Sequence, residues 1–278
     1  MADRVLHNQI INYYKDLLKS FKHDLHKLKS SLGKKTIHNI RLDIKKLRVL
    51  YNLIKEIYHG KFDSKDYSKA YKGLFKAAGK IREAQVNKDL ITSYKLPSKN
   101  SFCEYFEIRE KEARSKLRKR LSKTHIESPG KAKSELMKVL KGLNKEKFTK
   151  GCHSLLIAEY EGIKCLRKAS LNVKSFHKMR KHFKNLGYLT NLLDKIKPDW
   201  IDKHTLTELK KTEKLMGQWH DRVVLIHSLN LLLEHKKIKK IELEPIQKII
   251  GVIKTENNKQ LTKLLPRIDK TYLLFVNN

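Results

Sequence analysis

Hydrophobic residues recur at the spacing of an α-helix along almost the whole chain. In the N-terminal segment they fall every three or four positions and form one continuous stripe: Leu6, Ile10, Tyr14, Leu17, Phe21, Leu25 and Leu28. Such a stripe predicts an amphipathic helix that packs one face against a core. The same spacing continues in seven further segments, at about 35–59, 64–95, 99–124, 146–170, 173–196, 203–235 and 243–275. We therefore predict an all-α protein.

Glycine and proline interrupt this pattern and divide the predicted helices into two groups of four. The central interruption begins at Ser128-Pro129-Gly130, and others occur at Gly33, Pro97, Pro198 and Pro245. These residues favour turns because glycine is flexible and proline lacks a backbone N–H group. We predict a first four-helix half over residues 1–127, a linker over 128–145 and a second four-helix half over 146–278.

The two halves share specific residues, which indicates an internal duplication. The segment from His38 to Arg48 on the second helix has a counterpart from His177 to Tyr188, 139 residues later. On the third helix of each half, Lys72, Lys76, Gly79 and Glu83 recur 138 residues later as Lys210, Lys214, Gly217 and Asp221. This repeat predicts two up-down four-helix bundles related by a pseudo-twofold axis.

The repeated residues place a polar stripe beside the apolar stripe of the second helix. At about 100° per residue, four basic residues fall within an arc of about 80°: His38, Arg41, Lys45 and Arg48. His177, Arg180 and Lys184 take the same places in the second half, and the fourth place is Gly187. Because solvated surface lysines have no reason to keep one phase in two helices, we interpret these stripes as functional.

Gly79 and Gly217 stand at equivalent interior positions of the third helices. A glycine there costs about 0.5 to 1 kcal/mol relative to alanine, so its repetition indicates a close approach, either to a neighbouring helix or to a ligand. Glu83 and Asp221 follow each glycine by four residues. We expect these carboxylates to orient cations, because nearby positive charge lowers a carboxyl pKa and makes it a poor general acid.

The charge balance indicates an anionic partner. The chain has 278 residues with 63 Lys plus Arg, 29 Asp plus Glu and a formal charge of +34, and its 40% hydrophobic content is sufficient for a folded core. Lysine acts as a hydrated point charge, whereas arginine suits the reading of base edges. The 51 Lys and 12 Arg therefore favour phosphate binding, and two basic faces joined in one groove suit a long, flexible polyanion.

Composition also excludes several classes of protein. With 11 Gly and 5 Pro, the chain has too few turn residues for a dinucleotide-binding fold or a loop-rich β protein. The three cysteines have no metal-ligand spacing and indicate a reducing compartment. No segment has the pattern of a signal peptide or of a membrane span. We expect a cytoplasmic protein without a membrane partner.

At the repeated residues the sequence resembles the CHAD family, the conserved-histidine α-helical domain. The family pattern H-x-x-R-x-x-x-[RK]-[RK]-L-R stands here as His38, Arg41, Lys45, Lys46, Leu47 and Arg48, and again as His177, Arg180, Lys184, Leu186 and Tyr188. A later G-x-x-R-D motif stands as Gly79 to Glu83 and as Gly217 to Asp221. The sequence departs from the pattern at Gly187 and Asn185 in place of cations, at Glu83 in place of Asp, and at His220 in place of Arg.

The resemblance implies a basic central cavity that binds inorganic polyphosphate, without a metal or other cofactor. It implies a binding site made of His38, Arg41, Lys45, Lys46, Arg48, Lys72, Lys76, Arg82, His177, Arg180, Lys181, Lys184, Tyr188, Lys210, Lys214 and His220, with Gly79, Glu83, Gly217 and Asp221 as structural or orienting residues. The E-x-E-x-K motif of an attached triphosphate tunnel domain does not occur. The expected protein is thus a stand-alone, non-catalytic module that acts with polyphosphate-metabolising enzymes or granules.

Two other functions are compatible with the sequence. A nucleic-acid-binding helical protein would need aromatic platforms between its cations, and most aromatics here fall at core-spaced positions. An all-α metal-dependent phosphohydrolase could use His220-Asp221, yet it would need a second His and Asp at suitable places. Neither those ligands nor a nucleophile or P-loop motif is recognisable. We therefore expect no enzymatic activity and regard nucleic acid as a competing polyanion.

Overall fold

The computed structural model describes residues 2–58, 62–94, 101–123, 130–168, 172–198, 200–234 and 243–276, and within these ranges it contains nine α-helices and no strand. The helices are α1 Ala2–Ser30, α2 Lys34–Ile57, α3 Ser64–Thr92, α4 Ser101–Lys123, α5 Gly130–Leu140, α6 Lys145–Lys168, α7 Val173–Ile196, α8 Lys203–Glu234 and α9 Leu243–Val276. The all-α prediction is confirmed. No described helix is long and apolar enough to cross a membrane.

Helix α5 occupies most of the segment that the sequence analysis predicts as a linker over residues 128–145. Leu136 and Leu140 are fully buried, and Leu143 after the helix is almost so. Their spacing of four and three residues gives this short segment one apolar side, which packs in the main core. The chain therefore begins a helix at Gly130, and residues 130–140 of the predicted linker are helical.

The core is continuous between the two predicted halves. The largest cluster of buried side chains joins Phe21 of α1, Leu47 of α2 and Leu136 of α5 to Leu193 of α7. A second cluster packs the end of α3 and the start of α4 against α8 and α9. A third fills the space between α6, α7, α8 and α9. The division at residues 127 and 146, and the pseudo-twofold relation of the halves, remain predictions.

Helices α2 and α7 lie at the centre of this arrangement. Helix α2 packs against α1, α3, α6 and α7, while α7 packs against α1, α2, α6 and α8. The predicted apolar stripe of α2 is fully buried: Ile37, Ile40, Ile44, Leu47, Tyr51 and Ile54. The corresponding stripe of α7 is also buried: Phe176, Met179, Phe183 and Leu186. Since each apolar stripe fixes the rotation of its helix, the neighbouring polar stripes are fixed as well.

A local signal fixes the beginning of α7. The Asn172 side chain accepts a hydrogen bond from the Ser175 backbone N–H, and the Ser175 hydroxyl accepts one from the Asn172 backbone N–H, each at 2.9 Å. This capping box satisfies donors that the first turn of a helix leaves open. It sets the starting point, and with it the phase, of the helix that carries His177 and Arg180.

Truncation of a core residue of α2 tests this packing. Ile44 is fully buried, so we expect Ile44→Ala to lower the free energy of unfolding by about 2 to 5 kcal/mol, from lost burial and the cavity left behind. The measurement is urea denaturation followed by circular dichroism. Ile108→Ala in α4 is the matched control, because Ile108 is 55% exposed and its loss should cost less than about 0.5 kcal/mol. Equal costs for the two variants would contradict the assigned core.

Candidate functional site

The polar stripes of α2 and α7 face one cavity of about 690 Å³, which α3 and α8 complete. Its basic lining consists of His38, Arg41, Lys45, Arg48, Arg82, His177, Arg180, Lys181, Lys184 and His220. The lining thus has seven Lys and Arg residues against two carboxylates, those of Glu83 and Asp221. This central cavity is a concentration of positive charge drawn from α2, α3 and α7.

Two arginines of α2 are held against Phe75 of α3. Arg41 Nη1 donates a hydrogen bond to the Phe75 carbonyl oxygen at 2.7 Å. The Cζ atoms of Arg41 and Arg48 lie 4.2 Å and 4.4 Å from the centroid of the Phe75 ring, in cation–π geometry. The side chains of Arg41 and Arg48 therefore have defined positions before any anion binds.

The repeated glycines differ in their surroundings. A Cβ atom at Gly79 would lie 2.5 Å from Arg41 Nη1, so only glycine leaves room for that guanidinium group. The predicted close approach is correct at Gly79, and the approaching group is a cavity side chain. At Gly217 no neighbouring atom of the described chain lies within 4 Å of the same position, so no helix approaches closely there, and an approach by a ligand remains a prediction.

Arg180, the counterpart of Arg41, has an incomplete set of partners. Its Nε atom is buried, and within the described part of the chain it has no hydrogen-bond partner. A buried donor without an acceptor is uncommon in folded proteins and costs free energy until an acceptor is supplied. Because Arg180 lines the central cavity, an anion held there is a suitable source of that acceptor.

Three histidines line the cavity in environments that disfavour their charged form. Burial, followed by the charges of Arg180, His177 and Lys181, lowers the pKa of His220 to about 3. Burial and neighbouring cations also lower the pKa of His177 and of His38. The Nδ1 atoms of His177 and His220 lie 3.4 Å apart. These imidazoles are therefore neutral in the free protein at pH 7, and a nearby anion would raise their pKa.

Glu213 of α8 does not line the central cavity but lies beside two of its cations, Lys184 and Lys45, and the sequence analysis missed it. A Cβ atom at position 187 would overlap its carboxylate, so Gly187 provides the space that Glu213 occupies. Burial raises the pKa of Glu213 to about 7, although Lys184 and Lys45 oppose that shift. Burial and nearby cations lower the pKa of Lys45 to about 7. The available signal was Gly187 itself, because the absence of a large side chain leaves room for one from the neighbouring helix.

Phe75 is the second missed residue, and it occupies the place in the repeat that corresponds to Glu213. Position 75 plus the offset of 138 gives 213, and Arg48 corresponds to Gly187. The Arg48–Phe75 contact of the first half is thus replaced by the Gly187–Glu213 contact of the second. Aromatic residues at helical spacing usually belong to a core, and the apolar pattern could not place Phe75 in the cavity.

Five residues predicted for the site do not line the central cavity: Lys46, Lys72, Lys76, Lys210 and Lys214. Lys46 is half-buried near Asp43, where its charge opposes the rise in the Asp43 pKa that burial causes. Lys76 lines a different cavity between α3 and α4, and the other three lysines are exposed. On α3, Phe75 lines the cavity in place of the neighbouring lysines. The predicted convergence of these lysines is therefore wrong.

The remaining predicted residues do come together. Besides the basic lining, Tyr188, Gly79, Glu83 and Asp221 line the central cavity, while Gly217 does not. Lys45 Nζ lies 5.7 Å from the centroid of the Tyr188 ring. Within the described residues, no group of three His, Cys, Asp or Glu side chains is placed to hold a metal ion.

Comparison with known proteins agrees with this architecture. The crystal structure of the CHAD domain from the plant Ricinus communis matches with a TM-score of 0.70, over 95% of this chain and 91% of that chain. The two sequences are 15% identical, so the likeness shows the fold alone. No curated protein matches the chain. The model of the CHAD domain family matches residues 16–230, most of the chain and both cavity-lining stripes, and the chain therefore belongs to the CHAD domain family.

Proposed function

We propose that the protein is a non-catalytic module that binds inorganic polyphosphate in the central cavity. The observation that supports this most directly is the convergence of seven Lys and Arg side chains from three helices on one space of about 690 Å³. A chain of phosphates offers acceptor oxygens and charge at every unit, and Lys and Arg both form charge-assisted hydrogen bonds to them. In this proposal the protein acts in the cytoplasm, at polyphosphate granules or on polyphosphate-metabolising enzymes.

The aromatic rings of the cavity favour polyphosphate over nucleic acid. Recognition of single-stranded nucleic acid uses aromatic faces on which bases stack. Here the Phe75 ring already contacts the guanidinium groups of Arg41 and Arg48, and Lys45 lies over the Tyr188 ring. Because the protein's own cations cover these ring faces, the cavity offers hydrogen-bond donors to phosphate and few faces on which a base could stack.

Competition between polyanions tests the proposal. We expect polyphosphate to bind with a dissociation constant of about 1 μM or below. RNA or single-stranded DNA of equal phosphate content should displace it poorly, because the cations cover the aromatic rings on which bases would stack. The measurement is a filter-retention assay at several salt concentrations, with a slope of roughly −0.7 per phosphate neutralised, by analogy with single strands. Equal displacement by nucleic acid would support the nucleic-acid function instead.

Removal of two lysines from the cavity should separate local contacts from bulk charge. Lys181 and Lys184 line the cavity from α7. We expect Lys181→Ala combined with Lys184→Ala to weaken polyphosphate binding roughly a hundredfold or more, since each charge-assisted bond contributes about 1.5 to 3 kcal/mol. The control is Lys15→Ala with Lys19→Ala, which removes the same charge from exposed positions of α1. Similar losses in both variants would mean that only overall charge matters.

Binding should also take up protons. Polyphosphate near the neutral histidines, Lys45 and Glu213 favours the protonated form of each, so affinity should fall between pH 6 and pH 8. Among these groups, only the Glu213 carboxyl becomes negatively charged as the pH rises, and Glu213→Gln removes that charge. We expect this variant to bind more tightly than wild type at pH 8, by roughly fivefold if the ligand raises the carboxyl pKa by one unit.

Calorimetry in two buffers of different ionisation enthalpy measures this proton uptake. Glu234→Gln is the matched control, because it removes the same charge from an exposed position of α8. It should leave the affinity and its pH dependence unchanged. An unaltered pH dependence in Glu213→Gln, or no proton uptake by the wild type, would contradict the assignment of these groups to the ligand site.

A further inference from the structure

A second cavity of about 670 Å³ lies between α3 and α4. Five cations line it: Lys76, Lys80, Arg109, Lys116 and Arg120. They stand against two carboxylates, those of Glu83 and Glu112. This α3–α4 cavity therefore also has an excess of Lys and Arg over carboxylates, smaller than that of the central cavity, on a neighbouring part of the same helix.

The position of Arg120 depends on a glycine, as that of Arg41 does in the central cavity. A Cβ atom at Gly73 would lie 2.6 Å from Arg120 Cζ, so glycine is needed for the guanidinium group to rest on α3. Arg120 Nη1 also donates a hydrogen bond to the Gly73 carbonyl oxygen at 3.3 Å. Gly73 and Gly79 thus each admit one arginine to the surface of α3, from opposite neighbours of that helix.

The two cavities share a wall. Glu83 lines both of them. Its Oε2 atom lies 3.5 Å from Lys80 Nζ, which lines the α3–α4 cavity. Its charge also acts on Arg41 of the central cavity, where it opposes the lowering of the Arg41 pKa that burial causes. At about 100° per residue, Lys76 and Lys80 occupy the part of α3 adjacent to Gly79 and Glu83. A polyanion that leaves the central cavity across Glu83 would therefore meet the second set of cations directly.

We propose that the α3–α4 cavity is a second anion-binding site, which holds the segment of a polyphosphate chain that extends out of the central cavity. This inference rests on the proposed function. It makes affinity dependent on chain length, because a short chain occupies the central cavity alone and a long chain binds at both places. The second contact is then intramolecular, and it adds affinity without a second encounter in solution.

The test compares two double variants of α4, each of which removes two positive charges. Lys116→Gln with Arg120→Gln alters the α3–α4 cavity. Lys111→Gln with Arg118→Gln alters exposed positions that lie about 200° away around the same helix. The probes are tripolyphosphate and a long polyphosphate of ~100 phosphates, with affinity and salt dependence measured by calorimetry.

We expect the Lys116/Arg120 variant to bind the long chain about tenfold more weakly than wild type does, with a salt slope reduced by about 1.4. Its affinity for tripolyphosphate should match that of the wild type, and the Lys111/Arg118 variant should bind both probes normally. Unchanged long-chain affinity in the first variant, or equal losses in both variants, would overturn the inference. Failure of the wild type to bind either probe would instead overturn the proposed function, and the inference with it.

Discussion

The mutual repulsion of closely placed, mostly half-buried cations is the constraint on which the rest of this structure depends. The chain has a formal charge of +34, and seven Lys and Arg side chains face one partly enclosed space. Moving cations out of water and next to one another costs free energy. The apolar stripes of α2 and α7 oppose this cost, since Ile44 and Phe183 are buried only if both helices keep the rotation that directs Lys45 and Lys184 inward. The apolar pattern and the charged site are therefore parts of one arrangement.

The pKa shifts show where that cost falls. Lys45 has its pKa lowered from 10.5 to about 7, so the free energy of unfolding that it contributes is lost as the pH falls from 10.5 through 7. Glu213 has its pKa raised from 4.5 to about 7, so its contribution is lost as the pH rises from 4.5 through 7. Both contributions to the free energy of unfolding are therefore lost near neutral pH. At that pH the ligand-free protein bears the cost of both groups, and an anion in the cavity would relieve the part due to Lys45.

The sequence was sufficient to predict the helical fold and the two polar stripes, because a period of 3.6 residues determines which side chains share a face. It was insufficient where the outcome depends on neighbours from another helix. Lys76 shares a face with Gly79, yet it lines the α3–α4 cavity because Phe75 occupies the inward position. Glu213 could not be found from its own helix, since its place is defined by the space above Gly187 on α7. Helix α5 was missed because Pro129-Gly130 resembles a linker, while the burial of Leu136 and Leu140 depends on the tertiary core.

The two halves of the repeat line the central cavity with walls of different properties, the first made of α2 and α3 and the second of α7 and α8. In the first half, Gly79 and Phe75 fix Arg41 and Arg48 by steric fit, a carbonyl hydrogen bond and ring contacts. In the second half the equivalent places hold Gly217 with open space beside it, Glu213 in place of the ring, and Gly187 in place of the cation. Arg180 is accordingly left with a buried Nε donor that lacks a partner within the described chain. The first wall is thus preorganised for an anion, which lowers the entropic cost of binding. The second contributes Glu213 and the neighbouring imidazoles of His177 and His220 to the pH dependence of binding, in addition to His38 and Lys45 of the first.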